Sequence, residues 1–461
     1  MLAARLDLRT KIAEASGAQE RWLWGRDRAV ALSSFAAKTY LHDADPAGRK
    51  ALLLCDDQLT AATGLIELDG VADSILICPP DLKSDHLLAV SRAAGIDMVA
   101  GTPPVLDRAG ELAVPSAVLR LAEPRDRGAG AAPVRQTSWL LLTSGTSGVP
   151  KIVRHDLNTL ISAFAGVPPA HDTVWSTFYD IRRYGGMQIL LRALVGGGSI
   201  VLSDAGEPHA DYLARVAKHR VTHISGTPSH WRRAIMSADA HAIAPGYVRM
   251  SGEIADQAII DALKSTYPAA SVAHAYASTE AGVGFAVDDG REGFPAAYLD
   301  GPRNGVVLKV VDGTLRLKSA GTAKGYVGEA PGPLLDEEGF VDSGDVIEQR
   351  GDRCYFAGRR GGIINVGGLK VHPEEVEGVL NRHESVSMSL VKARKSPITG
   401  AVVVADVVLE SQVGSQDHEI LKASLIAHCK ASLPAHKVPA LIKIVPHIAV
   451  GQAGKLVRSN A

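Results

Sequence analysis

Apolar runs bounded by turn residues alternate with helix-like segments through the first half of the chain. The runs ALLLCDD at 51–57, DSILICPP at 73–80 and IDMVAGTPP at 96–104 have the length of buried strands, and the helix-like segment DHLLAVSRAAG precedes the third run. Strands that alternate with helices favour βαβ units and a parallel sheet. We therefore predict an α/β fold, in which the large N-terminal domain contains parallel βα sheets.

The pattern changes from Gly301 onward, where short strands such as GVVLKVVDG and GTLRLKS are separated by tight turns. These turns predict an antiparallel sheet or a distorted β-barrel. The last hundred residues contain a hairpin candidate, INVGGLKV, a helix that opens at Pro373, two strand candidates, and a helix with Leu421, Leu425, Cys429 and Leu433 on one face. We predict a large domain over residues 1–358 and a small, mobile α+β domain over residues 359–461.

Composition limits the classes of function. The 461 residues carry 49 basic and 50 acidic side chains, so the chain has almost no net charge and no nucleic-acid partner is expected. The opening segment 1–17 has scattered charges, and no stretch approaches the roughly 18 apolar residues of a spanning helix, so we expect neither a secretory signal nor membrane insertion. A cytoplasmic enzyme is the expectation. The Pro/Gly/Ala-rich segment 122–135 predicts a solvated linker.

The cysteines are widely spaced and form no CxxC pair, which argues against a zinc site and a disulfide framework. Cysteine is among the most often buried residue types. We predict packed thiols at Cys55, Cys78, Cys354 and Cys429.

A Gly/Ser/Thr-rich loop follows the apolar run WLLL and ends in Pro-Lys. Glycines allow successive backbone N–H groups to point at one anion, hydroxyls add donors, and a lysine adds a mobile positive charge. The pattern predicts a phosphate-binding loop, and the alternative is a flexible linker. The loop consists of Thr143, Ser144, Gly145, Thr146, Ser147, Gly148, Val149, Pro150 and Lys151.

This loop and the segments after it resemble the adenylate-forming superfamily, which includes acyl-CoA synthetases, peptide-synthetase adenylation domains and firefly luciferase. The segment His274–Glu280 is similar to the family's aromatic-Gly-x-Thr-Glu motif, with Ala277 in place of the usual glycine. The resemblance implies that Tyr276 stacks on adenine, Thr279 contacts phosphate and Glu280 binds Mg²⁺. Taken alone, the segment is more typical of a core tyrosine beside a surface glutamate.

Further motifs follow in the family's order. Ser251-Gly252-Glu253 resembles the adenine-side turn, which implies nucleotide binding by Gly252 and Glu253. The segment ending in Asp345 is similar to the motif whose last carboxylate accepts both ribose hydroxyls, and a carboxylate suits a vicinal diol because it only accepts. The alternative is an ordinary DSGD β-turn. Arg359 matches the arginine that contacts ribose or phosphate.

The resemblance also implies two active states of the small domain. The position that matches the family's pivot is Gly361, and the hairpin containing Gly367 and Gly368 would guide the pantetheine arm of coenzyme A. Lys455 lies in a segment similar to Gly-Lys-x-x-Arg and would be the catalytic lysine of the first step. Without the order of the motifs, the glycines would be turn residues and Lys455 a solvated tail lysine.

The resemblance therefore implies ATP-dependent activation of a carboxylic acid to acyl-AMP, followed by transfer to the thiol of coenzyme A. Lys455, Lys151, Thr279 and Glu280 are the predicted catalytic residues, and the implied cofactors are ATP, Mg²⁺ and coenzyme A. The alternatives are transfer to a carrier-protein phosphopantetheine, transfer to an acceptor other than a thiol, and a nucleotide-binding sensor without turnover.

The identity of the acid is open. Many relatives carry a Pro-x-x-His-x-x-Gly element beside the acyl pocket, and the segment 175–186 of this chain lacks that histidine. Arg182 and Arg183 in this segment suggest pairing with a second acidic group of the substrate. The alternative is that both arginines face solvent or the nucleotide.

Overall fold

The structure is a computed structural model that describes residues 6–128, 134–143, 148–329, 332–396, 399–410, 418–451 and 456. The α-helices are α1 (Leu8–Glu14), α2 (Gln58–Leu68), α3 (Ser84–Ala93), α4 (Pro103–Leu106), α5 (Leu157–Ile161), α6 (Tyr184–Val195), α7 (His209–Lys218), α8 (Pro228–Ile235), α9 (Gln257–Thr266), α10 (Pro373–Leu380) and α11 (His418–Ser432). Short 3₁₀ helices occupy Leu32–Ala36, Asp107–Leu112, Ser162–Phe164, Ala238–Ala242, Ala296–Leu299, Arg360–Gly362 and Ala435–Lys437.

The first seventeen strands belong to the α/β part or its edges. They are β1 (Trp22–Trp24), β2 (Ala29–Ala31), β3 (Lys38–Thr39), β4 (Leu41–His42), β5 (Lys50–Leu54), β6 (Ser74–Ile77), β7 (Met98–Gly101), β8 (Ser116–Leu119), β9 (Arg125–Asp126), β10 (Ser138–Thr143), β11 (Lys151–His155), β12 (Val174–Thr177), β13 (Ser199–Leu202), β14 (His223–Gly226), β15 (Tyr247–Ser251), β16 (Ser271–Ser278) and β17 (Gly282–Val287).

The remaining strands form the antiparallel sheet, the small domain and one edge. They are β18 (Phe294–Pro295), β19 (Val307–Val311), β20 (Thr314–Lys318), β21 (Gly325–Val327), β22 (Val341–Arg350), β23 (Arg353–Arg359), β24 (Ile364–Val366), β25 (Leu369–Val371), β26 (Val386–Ser396), β27 (Gly400–Leu409) and β28 (Leu441–Ile444).

Two eight-stranded sheets form the framework of the large domain. Their orders are β17-β16-β15-β14-β12-β13-β1-β2 and β21-β11-β10-β6-β5-β7-β8-β4, and their central strands are parallel. Helices cover both faces of such sheets, so their strands are apolar along their whole length. Residues 51–54 of β5 illustrate this, because all four are buried. The predicted parallel α/β fold is confirmed.

A curled antiparallel sheet follows the second parallel sheet, with the order β18-β23-β22-β20-β19. Its core contains Phe294, Leu315, Leu317 and Cys354. No pairing of β18 with β19 occurs in the described residues, so the predicted distorted barrel is a half-barrel. This sheet carries two of the predicted nucleotide-binding residues on β22 and β23.

The small domain combines the hairpin β24–β25, the sheet β26-β27-β28, and helices α10 and α11. Leu425, Cys429 and Leu433 of the final helical segment pack in its core, as predicted. Gly367 and Gly368 have φ values of 57° and 87° and connect Val366 to Leu369. Two successive positive φ values are what a two-residue hairpin turn requires. The hairpin prediction is confirmed.

The boundary between residues 358 and 359 stays a prediction, and it falls at the end of β23. One prediction is wrong in part, because Arg125–Asp126 of the expected linker pairs with β3 as strand β9; residues 129–133 lie outside the described part. The four cysteines are free and buried, as predicted. Within the described ranges, the helices are too short or too polar to cross a membrane.

Candidate active site

The structure joins three of the predicted nucleotide-binding residues. Strand β16 carries Tyr276 toward the half-barrel, where its hydroxyl donates a hydrogen bond of 2.5 Å to Oδ2 of Asp345. Arg359 lies opposite Asp345 in the β22–β23 register, and its Nε donates to Oδ1 at 3.0 Å. Burial opposes the charge of Arg359, but Asp345 outweighs it and raises the pKa of the guanidinium. One carboxylate therefore orients an aromatic ring and a cation.

The Tyr276 ring belongs to an aromatic cluster. Its centroid lies 5.0 Å from that of Phe356 and 5.7 Å from that of Phe285, and both pairs are nearly parallel. A side chain at Gly284 would approach the tyrosine ring to 3.1 Å, so glycine makes room for it. Burial raises the pKa of Tyr276 well above its usual value, which keeps the hydroxyl a donor. The strand bulges between Tyr276 and Ala277, where the family pattern has glycine.

The phosphate-loop prediction falls partly on described residues. Thr143 and Lys151 face each other in the antiparallel β10–β11 pair. The Lys151 amine lies 5.4 Å from the centroid of the Tyr326 ring. Burial and the charge of Glu280 raise the pKa of Tyr326, so Glu280 also lies near this tyrosine. Gly148 has a positive φ of 123°. Ser144, Gly145, Thr146 and Ser147 lie outside the described residues.

Sequence reasoning missed His155, which holds the Thr279–Glu280 turn in place. This histidine is fully buried, and its Nε2 lies 2.7 Å from the backbone oxygen of Thr279, while Nδ1 lies 2.9 Å from the Thr159 hydroxyl. Burial lowers the pKa of His155 below its ordinary value, although the contact with Thr279 opposes this. The available sequence signal was the pattern His-Asp-x-x-Thr, a helix cap directly after β11.

Glu253 connects the two domains. Gly252 has a φ of 87° and turns the chain after β15. The Glu253 carboxylate then accepts from the backbone N–H of Ser229 at 3.0 Å and from that of Leu456 at 2.9 Å. Lys455 itself lies outside the described residues, but its neighbour Leu456 is bonded to the loop that follows β15.

A buried charge cluster also joins the domains. Arg232 of α8 forms a two-pronged ion pair with Asp256, with N–O distances of 2.6 and 2.7 Å. From the small domain, Asn381 donates to Asp256 at 3.2 Å, and the backbone oxygen of Ser387 accepts from Arg232 at 3.2 Å. These contacts fix one orientation of the small domain relative to the large one.

The hypothesis that Arg182 or Arg183 receives an acidic group of the substrate stays a prediction, although the structure pairs both arginines with acids of the chain. Arg182 is buried, and its guanidinium donates two hydrogen bonds to the Asp180 carboxylate, at 2.6 and 2.8 Å. It also donates to the Cys55 carbonyl oxygen. Arg183 pairs with Asp81. The Arg182 guanidinium is therefore bonded at every nitrogen, whereas Arg183 pairs through one terminal nitrogen and its buried Nε has no partner among the described residues.

The Mg²⁺ prediction rests on Glu280 alone. Across the described ranges, no group of three His, Cys, Asp or Glu side chains forms a ready cation cage. Mg²⁺ is commonly held by one or two carboxylates together with substrate phosphates and water. A single carboxylate beside a predicted phosphate loop fits that mode.

The Gly367–Gly368 hairpin is held within the small domain, where the backbone N–H of Gly367 donates to the Thr399 backbone oxygen.

Comparison with known proteins agrees with this arrangement. A sequence profile described as AMP-binding enzyme matches residues 123–329, and its C-terminal domain profile matches residues 375–455. Together the two segments cover more than half of the chain. The 2-succinylbenzoate–CoA ligase of Bacillus pumilus is 25% identical over 428 residues, which cover 88% of this chain and 81% of that protein.

Solved structures share the fold. An anthranilate CoA ligase in complex with anthranoyl-AMP superposes with a TM-score of 0.82 and 17% identity, covering 99% of this chain and 96% of that one. The o-succinylbenzoate CoA synthetase of Bacillus subtilis in complex with ATP and magnesium gives a TM-score of 0.75 and 18% identity, covering 98% of each chain. The predicted fold class is confirmed, and the chain belongs to the adenylate-forming superfamily of AMP-binding enzymes.

Proposed function

We propose that the chain is an AMP-forming acid–thiol ligase. It activates a carboxylic acid with ATP to acyl-AMP and pyrophosphate, and it then transfers the acyl group to the thiol of coenzyme A with release of AMP. The observation that carries this proposal is the bonded set Tyr276, Asp345 and Arg359. The charge of Glu280 helps to raise the pKa of both Arg359 and Tyr326, and the Tyr326 ring lies 5.4 Å from the Lys151 amine. The names of the CoA-ligase relatives agree with the reaction class.

In the first step, an oxygen of the substrate carboxylate attacks the α-phosphorus of ATP, and the bond to pyrophosphate breaks. Asp345 accepts the ribose hydroxyls, the Tyr276 ring borders adenine, and Lys151 binds the departing phosphates. Glu280 would hold Mg²⁺, which neutralises phosphate charge when bound. Lys455 stabilises the charge where the two anions meet. Each role is a proposal for these residues.

In the second step, the coenzyme A thiol attacks the acyl carbon and AMP leaves. The thiol must reach a carbon that the Lys455 segment borders in the first step, so the small domain, which begins at residue 359, has to move. Gly361 lies in an exposed turn, and a side chain there would meet no atom within 4 Å, so a backbone rotation is unobstructed. The Gly367–Gly368 hairpin would then guide the pantetheine arm.

Pyrophosphate exchange tests the substrate. Purified protein is given radiolabelled pyrophosphate, ATP and one acid at a time from aliphatic, aromatic, amino and dicarboxylic sets that include 2-succinylbenzoate and anthranilate. Exchange with one acid class, and AMP release that requires coenzyme A, are the expected results. AMP release that requires a phosphopantetheinyl carrier instead would favour the carrier alternative, which stays a prediction.

Replacement of Lys455 with alanine tests the proposed first step. We expect ATP binding to survive and acyl-AMP formation to fall by about 10²- to 10³-fold, as when one electrostatic stabiliser is removed from other active sites. Lys430→Ala, at an exposed position of α11, is the matched control and should exchange like the wild type. Unchanged exchange in Lys455→Ala would refute the proposed role.

A further inference from the structure

The Glu253 carboxylate is shared between the two domains. It lies in the loop between β15, which ends at Ser251, and α9, which begins at Gln257. Its Oε2 accepts from the backbone N–H of Ser229 in the large domain at 3.0 Å, and its Oε1 accepts from the backbone N–H of Leu456 in the small domain at 2.9 Å. Each oxygen therefore serves a different domain, and a single side chain spans the boundary between them.

The bond to Ser229 lies within the large domain. Helix α8 begins at Pro228, so the N–H of Ser229 is one of the first-turn donors, which have no acceptor inside the helix. A carboxylate at this end is favourable, because the helix dipole places partial positive charge there. Oε2 is therefore held whether or not the small domain is docked, and the carboxylate is oriented before Oε1 receives its donor.

The loop that carries Glu253 is itself fixed at both ends. At its start, the Tyr179 hydroxyl donates to the Ser251 backbone oxygen at 2.6 Å. Burial raises the pKa of Tyr179, so the hydroxyl keeps its proton at neutral pH. At its end, Asp256 caps α9 and forms the ion pair with Arg232 at 2.6 and 2.7 Å. The acceptor that this loop offers to the small domain is thus preorganised.

The donor from the small domain is directly linked to the predicted catalytic lysine. The N–H of Leu456 belongs to the peptide unit that joins this residue to Lys455, and the atoms of a peptide unit lie close to one plane. Leu456 also forms an antiparallel bridge with Val450. An acceptor for the Leu456 N–H therefore acts on the chain one peptide bond from Lys455.

The two half-reactions make opposite demands on this contact. During acyl-AMP formation a catalytic group has to be held in place, because a misplacement of about 1 Å can cost about 100-fold in rate. A lysine amine stands on a long flexible stem, so its backbone has to be fixed by other groups. Before thiol transfer, the same segment has to leave. A hydrogen bond to a preorganised acceptor meets both demands, because it forms and breaks without rearranging the loop.

We propose that Glu253 is a positioning residue for Lys455. Its Oε1 accepts the Leu456 N–H while acyl-AMP forms and releases it before the thiol attacks, and the bond between Oε2 and Ser229 persists throughout. This inference rests on the proposed function, and it gives Glu253 a role in addition to the nucleotide contact that its motif implies. The two roles are separable, because a nucleotide contact governs ATP binding and a positioning contact governs the rate of acyl-AMP formation.

Glu253→Ala tests this role through both half-reactions. We expect single-turnover acyl-AMP formation, with ATP and the most active acid of the exchange panel, to slow by about 10- to 100-fold, the range for a lost hydrogen bond to a charged group. The Kd for ATP and the rate of thiolysis of preformed acyl-AMP by coenzyme A should keep their wild-type values. Glu253→Gln keeps one acceptor oxygen, so it should retain part of the rate, and it is the second variant if the first fails to fold. Exposed Glu111→Ala is the matched control and should change neither rate.

Leu456→Pro removes the other partner of the bond, because proline has no N–H. It should slow acyl-AMP formation as Glu253→Ala does, and Leu456→Ala, which keeps the N–H, should slow it less. In the variant that combines Glu253→Ala with Leu456→Pro, the loss should be no larger than in the more impaired single variant, since both changes break the same bond. Hydrogen–deuterium exchange at the Leu456 amide should be faster in Glu253→Ala than in the wild type, which reports the contact without any acid.

The inference would be overturned, while the ligase function stands, by a raised Kd for ATP as the only change in Glu253→Ala, by equal slowing of both half-reactions in the alanine and glutamine variants, or by losses that multiply in the double variant. Absence of pyrophosphate exchange with every acid would remove the proposed function, and the inference with it.

Discussion

Asp345 is the residue on which the nucleotide end of the site depends. Its two oxygens accept from Tyr276 and Arg359, and a carboxylate has about four acceptor positions, so room remains for a ribose diol. An amide in its place would offer one acceptor oxygen instead of two and would lose the charge that pairs with Arg359. The residue therefore couples ligand binding to the orientation of its own neighbours.

The first prediction follows from this geometry. Asp345→Asn should weaken ATP binding by about tenfold or more, since hydrogen bonds to a charged group contribute roughly 1.5–3 kcal/mol. Isothermal titration calorimetry with ATP in the absence of acid measures the Kd directly. Asp352→Asn removes an exposed carboxylate that pairs with Arg291 and should leave the Kd unchanged. A wild-type Kd in Asp345→Asn would refute ribose binding by this side chain.

Single residues differ in how far the sequence could predict them. Tyr276, Asp345 and Arg359 stand in segments that resemble family motifs, and that resemblance indicated their nucleotide contacts. His155 stands in no such motif. Its significance comes from its contact with a carbonyl oxygen 124 positions away. Spacing along the chain carries no information about that contact.

At the scale of elements, α8 depends on a neutral histidine. The N–H of His230 donates to the Thr227 hydroxyl at 3.0 Å, and the Nδ1 of its ring accepts from the Thr227 N–H at 3.2 Å, which forms a capping box. The ring also stacks on Phe178 at 5.5 Å. Burial, with the charges of Arg233 and His209, lowers the pKa of His230 to about 3. Protonation of Nδ1 would remove the cap's acceptor.

This cap predicts acid sensitivity. Because the pKa of His230 is lowered on folding, the stability it contributes is present above about pH 6.5, its unfolded value, and is lost as pH falls toward 3. One such group costs about 1.4 kcal/mol per pH unit in that window. His230→Gln keeps a capping acceptor without titrating, so its Tm should fall less than that of the wild type between pH 7 and 5. Exposed His241→Gln should show the same dependence of Tm on pH as the wild type. Parallel curves of Tm against pH for all three proteins would contradict the role of His230 as a titrating cap.

Elements with local causes were predictable from sequence. The Gly367–Gly368 hairpin needs two positive φ values, and Pro373 fits the first turn of α10. The strand at Arg125–Asp126 was not predictable, because its pairing with β3 gives order to a composition that is typical of a linker. Pairing between distant segments overrides local preference wherever the partner strand supplies the hydrogen bonds.

At the scale of the whole molecule, side-chain hydrogen bonds among the described residues join the two domains. Leu456, the neighbour of Lys455, is bonded to Glu253, and Asn381 and Ser387 are bonded to the Arg232–Asp256 pair. This arrangement holds Leu456 beside the loop after β15, as the proposed first step requires of its neighbour Lys455. The sequence could not predict it, because each contact joins residues more than 100 positions apart.

The orientation seen here should therefore serve acyl-AMP formation and oppose thiol transfer. Asn381→Ala removes one hydrogen bond to a charged acceptor, worth roughly 1.5–3 kcal/mol, and so shifts the balance of orientations by about 10- to 100-fold. We expect single-turnover acyl-AMP formation to slow, while thiolysis of preformed acyl-AMP by coenzyme A keeps its rate or accelerates. Lys430→Ala, at an exposed position of α11, should change neither the rate of acyl-AMP formation nor the rate of thiolysis. The opposite response of the two half-reactions is the decisive result, because general damage to the small domain would slow both of them. Slowing of both would show that the Asn381 contact is structural and does not select between two states.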